Sequence, residues 1–377
     1  MTDYTHFMAA AYNNPQNRLP ESVHGLYAEL LDRAMVLDAE LASDEVRGAF
    51  VSKTIKGRKY WYVQERAVNG VRRQRYLGPE SPTLVRWMND AGKHRNLALD
   101  AAATNRRLVA MLRAGGARTE RPIMARVVGA LADAGAFRGG AVLVGSVAFG
   151  TYGNMLGVKL DESMSRTEDV DVAKELEVDV AVGQDLAVDV RAALAASGVG
   201  EFHEIPELDS RQPSTSFALR RGQLRVDFLT PMVGRPRSQP VALRGMGVAA
   251  QPVRFLDYLL RDTQPAVLLS GDGVLVHVPS PARFALHKLV VAQKRVAAFQ
   301  AKAVKDIRQA QALLAALLAD RPGDLSVAWD AVVARRDSAK ALAEKSMRKL
   351  DEKMGGALEA HLGVDAGFHG TGTSRRR

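Results

Sequence analysis

The chain is predicted to have an α+β fold: a small mixed β-sheet core, with a basic helix and three-strand module on its amino-terminal side and a helical bundle on its carboxy-terminal side. Three observations predict it. Between 137 and 280, short apolar β-branched runs alternate first with helical segments and then with paired strands. Between 45 and 78, three short strand-like runs carry a dense basic charge. After Pro279-Ser280-Pro281 the periodicity changes to helix. The boundaries that follow are 1–80 for the basic module, 81–136 for a helical connector, 137–280 for the core, 281–366 for the bundle and 367–377 for a basic tail.

At 377 residues, with 47% hydrophobic and 25% charged content, the chain has the composition of a folded soluble protein of two or three domains. Its 52 Lys and Arg against 42 Asp and Glu leave a net charge of +10, which favours a polyanionic partner. The absence of Cys excludes disulfides, thiolate catalysis and Cys-ligated zinc, and suits a reducing, cytoplasmic location. The first residues lack a basic stretch before an apolar one, so no signal peptide is expected. No run approaches the roughly 18 apolar residues of a membrane span, so no membrane association is expected.

The elements follow in order. Residues 1–19 are polar. From Pro20 to Ala42, Leu26, Leu30, Leu31, Met35, Leu37 and Leu41 recur at helical spacing. Phe50-Val51, Lys59 to Val63 and Arg73 to Leu77 read as strands, with Asn69-Gly70 as a hairpin turn. Arg47, Lys53, Lys56, Arg58, Lys59, Arg66, Arg72, Arg73 and Arg75 stand there against Glu45 and Glu65, interleaved with Tyr60, Trp61, Tyr62 and Tyr76. Such a mixture suits phosphates and stacked bases, which makes Arg58, Lys59, Arg72, Arg73 and Arg75 candidate nucleic-acid contacts; the alternative is a small sheet with aromatic core and solvated charges. A helical region runs from Ser81 to Ala136 with a break near Gly115-Gly116, and Ala141 to Val144 is a short buried strand. Gln184 to Ser197 reads as helix, Phe202 to Ile205 as strand, and Ser216 to Leu219 with Leu224 to Leu229 as a hairpin. Arg254 to Gln264 reads as helix, and Ala266 to Leu269 with Val274 to Val278 as a second hairpin. Helices are expected from Pro281 to Ala298, Lys302 to Leu318 and Ser326 to Met354, and disorder at Gly355-Gly356 and from Gly367 on.

The chemistry concentrates between Ala141 and Val172. In Thr167-Glu168-Asp169-Val170-Asp171-Val172 the two aspartates are two apart on a strand and share a face. Adjacent carboxylates repel, and a divalent cation with oxygen ligands relieves them, so a magnesium site is expected. Asp227, alone in the alternating run Leu224 to Leu229, is the candidate third ligand. Arg225 and Arg220 are close enough in sequence to pair with it instead.

The order of apolar strand, Gly145-Ser146, helix, Asp-Val-Asp strand and later single-Asp strand resembles the nucleotidyltransferase superfamily related to DNA polymerase β. Several segments look more specifically like NTP-transferase family 8: Ala148-Phe149-Gly150-Thr151-Tyr152, Leu156-Gly157-Val158, Thr167 to Asp171, Arg225 to Pro231, and Pro281 to Lys288 with Arg283-Phe284-Ala285-Leu286-His287 between. That group carries the longer stretch seen here between Gly-Ser and the first Asp. The resemblance covers roughly Leu143 to Leu318 and implies a two-metal site of Mg2+, or Mn2+, in which Asp169 and Asp171 bridge both ions and Asp227 serves the nucleophile side. It also implies that Gly145 and Ser146 approach the triphosphate. Similarity to abortive-infection nucleotidyltransferase toxins adds Lys288 and Asp306 to the nucleotide-binding set, although Gln309 stands where that pattern has a later Asp.

What the resemblance implies is transfer of a nucleoside monophosphate from an NTP to a hydroxyl, with release of pyrophosphate. The charge favours nucleic acid as acceptor, RNA or a tRNA end before DNA, and a toxin or defence setting follows by analogy alone. Two other readings are a nucleic-acid-binding protein with a non-catalytic transferase fold, and an enzyme that nucleotidylates a small molecule or a protein.

Overall fold

The structure, a computed structural model, describes residues 17–43, 49–55, 58–66, 72–176, 188–207, 209, 211–232, 234–235, 239–243, 245–295 and 299–364. Helix α1 (Glu21–Ser43) buries Val23, Tyr27, Leu30 and Ala34, a three-to-four-residue repeat that makes one apolar stripe. The stripe packs on Leu108, Val109 and Leu112 of α2 (Pro82–Ala114). Ser81 caps α2 by accepting from Leu84 N at 3.2 Å, with Pro82 in the first turn. Gly115 ends α2 where α1 comes close, since a Cβ there would lie 2.3 Å from Val23 Cγ2. Between the two helices the antiparallel sheet β1 (Ala49–Ile55), β2 (Arg58–Arg66), β3 (Arg72–Pro79) realises the three expected strands. The Asn69-Gly70 turn lies outside the described residues.

After α3 (Pro122–Asp133), the central sheet takes its strands in the order β4 (Ala141–Val144), β5 (Asp169–Lys174), β8 (Arg225–Pro231), β10 (Val248–Val253), β9 (Val241–Leu243). The pair β6 (Phe202–Glu204) and β7 (Ser216–Leu219) joins through β7, which lies antiparallel to the first half of β8. The second half of β8 instead pairs in parallel with β10. Strand β5 is antiparallel to β4 and parallel to β8, so the sheet is mixed and the α+β expectation holds. Between β4 and β5 come α4 (Gly145–Leu156) and a 3-10 turn (Glu162–Ser165), which use up the long stretch before Asp169. Helix α5 (Val190–Ala196), capped by Asp189, is shorter than the expected Gln184 to Ser197, of which 184–187 lie outside the described residues.

Three expectations fail. Arg254 to Gln264 is helical only in α6 (Leu256–Leu260), because residues from Thr263 belong to β11 (Thr263–Leu268), paired along its whole length with β12 (Val274–Pro279). Strand alternation in β11 sends Ala266 and Leu268 into the main core, and Val267 with the following Leu269 into the core under α1. One hairpin therefore serves two cores, and no helix could divide its side chains that way. The long carboxy-terminal helix is in fact α9 (Pro322–Val333), α10 (Ala339–Met347) and α11 (Glu352–Leu362), following α7 (Pro281–Ala292) and α8 (Gln300–Asp320). Asp337 and Asp351 accept from Ala339 N and Lys353 N, opening a new helix at each point. Gly355-Gly356, expected to be disordered, lies within α11, where Gly355 is buried against Met347 O. The tail from Gly367 lies outside the described residues. Among the described residues, no helix is long and apolar enough to cross a membrane.

Candidate active site

The parallel pairing of β5 with β8 sets Asp171 opposite Asp227 and Asp169 opposite Arg225. On the other side of β8, Ser216 stands opposite Asp227 and Ala218 opposite Arg225. One row across the sheet thus reads Asp171, Asp227, Ser216, so Asp227 has a like charge on one flank and a hydroxyl on the other. Its Oδ1 accepts from Ser216 Oγ at 2.5 Å and from Arg225 Nε at 2.5 Å, while Arg225 Nη2 donates to Ser216 Oγ at 2.9 Å. Of the two arginines that could pair with Asp227, Arg225 is the one that does; Arg220 pairs with Glu201.

Gly145 turns the chain from β4 into α4 with φ of +69°, a conformation that strains any residue with a Cβ. The Asp171 carboxylate lies against it, and a Cβ there would sit 2.0 Å from Asp171 Oδ2. Packed against that backbone, the Asp171 carboxyl is pushed up to about 6, first by desolvation and then by the charges of Asp227 and Asp169. Thr167 Oγ1 accepts from Asp169 N at 3.1 Å and fixes the entry to β5. The loop before it is held by Arg121, which donates to Glu168 and to the Thr167 carbonyl.

Helices α7 and α8 face the carboxylates with positive charge. Ser280 caps α7 and Pro281 occupies its first turn. Lys288 is buried there and donates to Asp306 Oδ1 of α8 at 2.7 Å, while Arg295 reaches Asp306 Oδ2 at 3.0 Å. Asp306 therefore spends both oxygens on cations and acts on the cleft through Lys288. His287, also buried, is pushed down to about 3, chiefly by desolvation and then by Lys288. Lys305 Nζ donates to Arg166 O and Gln309 Nε2 to Met164 O, both at 2.7 Å, which ties α8 to the stretch leading into Asp169. Gln309, where an acid stands in the toxin pattern, is a strut here. The two halves of the site are joined by Phe149 and Tyr152 of α4 packing on Phe284 of α7, with Tyr152 donating its hydroxyl to Pro279 O at 2.9 Å.

Between these elements lies a cleft of about 550 Å³. It brings together Gly145, Ser146, Asp169, Asp171, Asp227, Lys288 and Asp306, all of the residues proposed from sequence for the metal and the nucleotide. It also includes Arg254, Lys294, Lys302 and Lys305, which come from separate stretches of the chain and carry no local motif. An apolar wall of Leu229, Val253, Phe255, Leu256, Leu259, Phe284 and Val291 completes it. Phe255 stands at φ of +64°, the one non-glycine residue with positive φ among those described.

The all-oxygen donors and the crowded charge at Asp171 suit a hard divalent ion. Among the described residues, however, no group of three or more His, Cys, Asp or Glu is gathered into a ready-made cation site. Asp227 Oδ1 is taken by Arg225 and Ser216. The residues fit the ion chemically, and Asp227 would give up its contacts with Arg225 and Ser216 to offer Oδ1 to it.

The proposed nucleic-acid contacts lie elsewhere. The backbone of Arg58 and Lys59 is in β2 and that of Arg72, Arg73 and Arg75 in β3. Lys59 pairs with Glu80 at 2.9 Å and covers the Trp61 ring, and Lys53 covers the Tyr62 ring.

Residues 123–334 match the model of NTP-transferase family 8, described as nucleotidyltransferase. No curated protein and no solved structure matches the chain.

Proposed function

Because the chain belongs to this nucleotidyltransferase family, we propose that it transfers a nucleoside monophosphate from an NTP to a hydroxyl of RNA, with pyrophosphate as the leaving group. The observation that carries this reading is the row of Asp171 beside Asp227 under the Gly145 turn, facing Lys288 across the cleft. Asp169, Asp171 and Asp227 would hold magnesium, which when bound supplies charge stabilisation to the phosphates and acidifies the attacking hydroxyl. Lys288, held in place by Asp306, faces the cleft where a triphosphate would gather negative charge. Lys302 and Lys305 extend the same positive wall. Gly145 lets the backbone come close to phosphate oxygens, and Ser146 brings a hydroxyl to the same edge. In the reaction the acceptor oxygen bonds to the α-phosphorus, the bond from that phosphorus to the β-bridging oxygen breaks, and pyrophosphate leaves with the electron pair. The acceptor proton passes to the Asp227 carboxylate.

RNA as acceptor is supported by the +10 charge and by the basic, aromatic sheet β1–β3. A toxin or defence setting is consistent with this chemistry and adds nothing to the mechanism. Incubation with each α-labelled NTP, magnesium and total cellular RNA tests the reading, beside Asp169→Ala and Asp171→Ala controls. Label in RNA that depends on both aspartates is the expected outcome. Label in protein or in small molecules would change the acceptor class, and no label with no NTP binding would leave a non-catalytic binding protein.

A further inference from the structure

Asp227 and Leu229 line a second cavity besides the cleft, of about 390 Å³, whose other lining includes Glu207, Thr215, Ser216, Arg225 and Gln251. The side chain that spans from this cavity to the carboxylate row is Arg225. It is 44% exposed while its partner Asp227 is 19% exposed, so one end of the ion pair meets solvent and the other meets the site. Its Nε and Nη2 are spent on Asp227 and Ser216. The same contact occupies the Asp227 oxygen that would otherwise be open to a cation. An exposed guanidinium held by a carboxylate exchanges readily for a phosphate, which offers the same pair of acceptor oxygens and more charge.

We propose that the second cavity receives the 3′-terminal nucleotide of a polynucleotide acceptor, and that Arg225 takes its last internucleotide phosphate, giving up its contact with Asp227 as the acceptor arrives. The polar floor is already organised: Glu207 Oε1 accepts from Thr215 Oγ1 at 2.8 Å and from Thr215 N at 3.3 Å. Gln251 sits beside Leu229 in the register of β10 with β8. A hydroxyl entering from this side reaches Asp227 without crossing the positive wall of α7 and α8. Arg225 thereby couples acceptor binding to the freeing of Asp227 Oδ1. The acceptor's identity rests on the transferase reading above; the phosphate site itself does not.

The test is direct binding of a labelled RNA trinucleotide to the full chain, its last linkage either a phosphate or a neutral methylphosphonate. Wild type should bind the phosphate form about tenfold more tightly, the scale of one charge-assisted hydrogen-bonded contact. Arg225→Ala should bind both forms alike at the weaker level, and Arg225→Lys should keep part of the preference. Arg225→Gln, which retains a donor toward Asp227 without charge, should also lose it and guards against an effect of misfolding. Equal binding of both forms by wild type, a preserved preference in Arg225→Ala, or no trinucleotide binding at all would each overturn the proposal. Label transfer is scored separately: preference without transfer would leave the phosphate site standing and remove the enzyme, and transfer without preference would do the reverse.

Discussion

Gly145 and Asp171 constrain one another closely. Gly145→Ala places a methyl group on the Asp171 carboxylate and a Cβ at φ of +69°, so a stability loss of about 1–2 kcal/mol is expected from the backbone alone. NTP affinity should fall further than that, because Asp171 must swing out of the row; thermal melting and nucleotide binding on the same sample separate the two effects. Asp306→Asn leaves Lys288 buried without its counter-ion, for which about 3 kcal/mol of destabilisation is expected. A melting curve checks it, and added NTP should recover part of the loss if the triphosphate reaches Lys288. His287 gives a pH dependence of known sign. Its folded value of about 3 lies below its ordinary 6.5, so the unfolded chain binds the extra proton. Stability from this residue is complete above pH 6.5 and is lost as pH falls toward 3, by about 2 kcal/mol at pH 5. Since His287 Nε2 has no partner, His287→Leu should flatten that part of the stability profile, measured by denaturant titration across pH; an unchanged slope would count against it. The aspartates and the Gly-Ser turn were legible as residues because each sits in a local pattern. Arg225 was legible as a partner for Asp227, but its access to a second cavity depends on where β6, β7 and β10 fall.

At the scale of elements, α4 and α7 act as one unit. Tyr152 is fully buried between Phe149 and Phe284, and its hydroxyl is satisfied by Pro279 O, the residue that precedes the cap of α7. Tyr152→Phe keeps the packing and leaves that carbonyl without its donor, so a cost of about 1 kcal/mol is expected. Loss of NTP affinity beyond that, read by titration at constant temperature, would show that the joint also aligns the Gly145 turn with Lys288. The strands and caps of this region were readable because their signals are local: β-branched runs, Ser280-Pro281 and the turn at Gly271 to Gly273. The helix expected from Arg254 to Gln264 failed because pairing of β11 with β12 along its whole length, with two cores to fill, outweighs local periodicity. The single helix expected from Ser326 to Met354 failed because Asp337 and Asp351 bond to backbone amides two residues on and restart the chain there.

Across the whole molecule, α1 belongs to the body of the fold and packs directly on α2, with β1–β3 inserted between the two only in chain order. Tyr27 of α1 accepts from Val267 N at 3.0 Å, and its hydroxyl is pushed up to about 12 by desolvation. A deletion meant to test the basic sheet should therefore replace 49–79 with a short Gly/Ser linker and keep α1. That variant is expected to keep its melting transition and NTP binding, to lose RNA affinity, and to show a shallower dependence of binding on salt; an unchanged salt slope would exclude the sheet as the phosphate-binding surface. The sequence by itself determined the α+β class and the strand pairings near each turn through short-range periodicity, showed the family through its motifs, and singled out the three aspartates as candidates, because carboxylates in that pattern have few alternative uses. Only the tertiary structure decided that Asp227 is held by Arg225, that Asp306 serves Lys288, that Gln309 is a strut, and that Arg254, Lys294, Lys302 and Lys305 reach the cleft. Arg225 was already a candidate partner by spacing and only its choice over Arg220 needed the structure; the other facts depend on side chains from separate strands and helices meeting in space, a distance that sequence spacing does not encode.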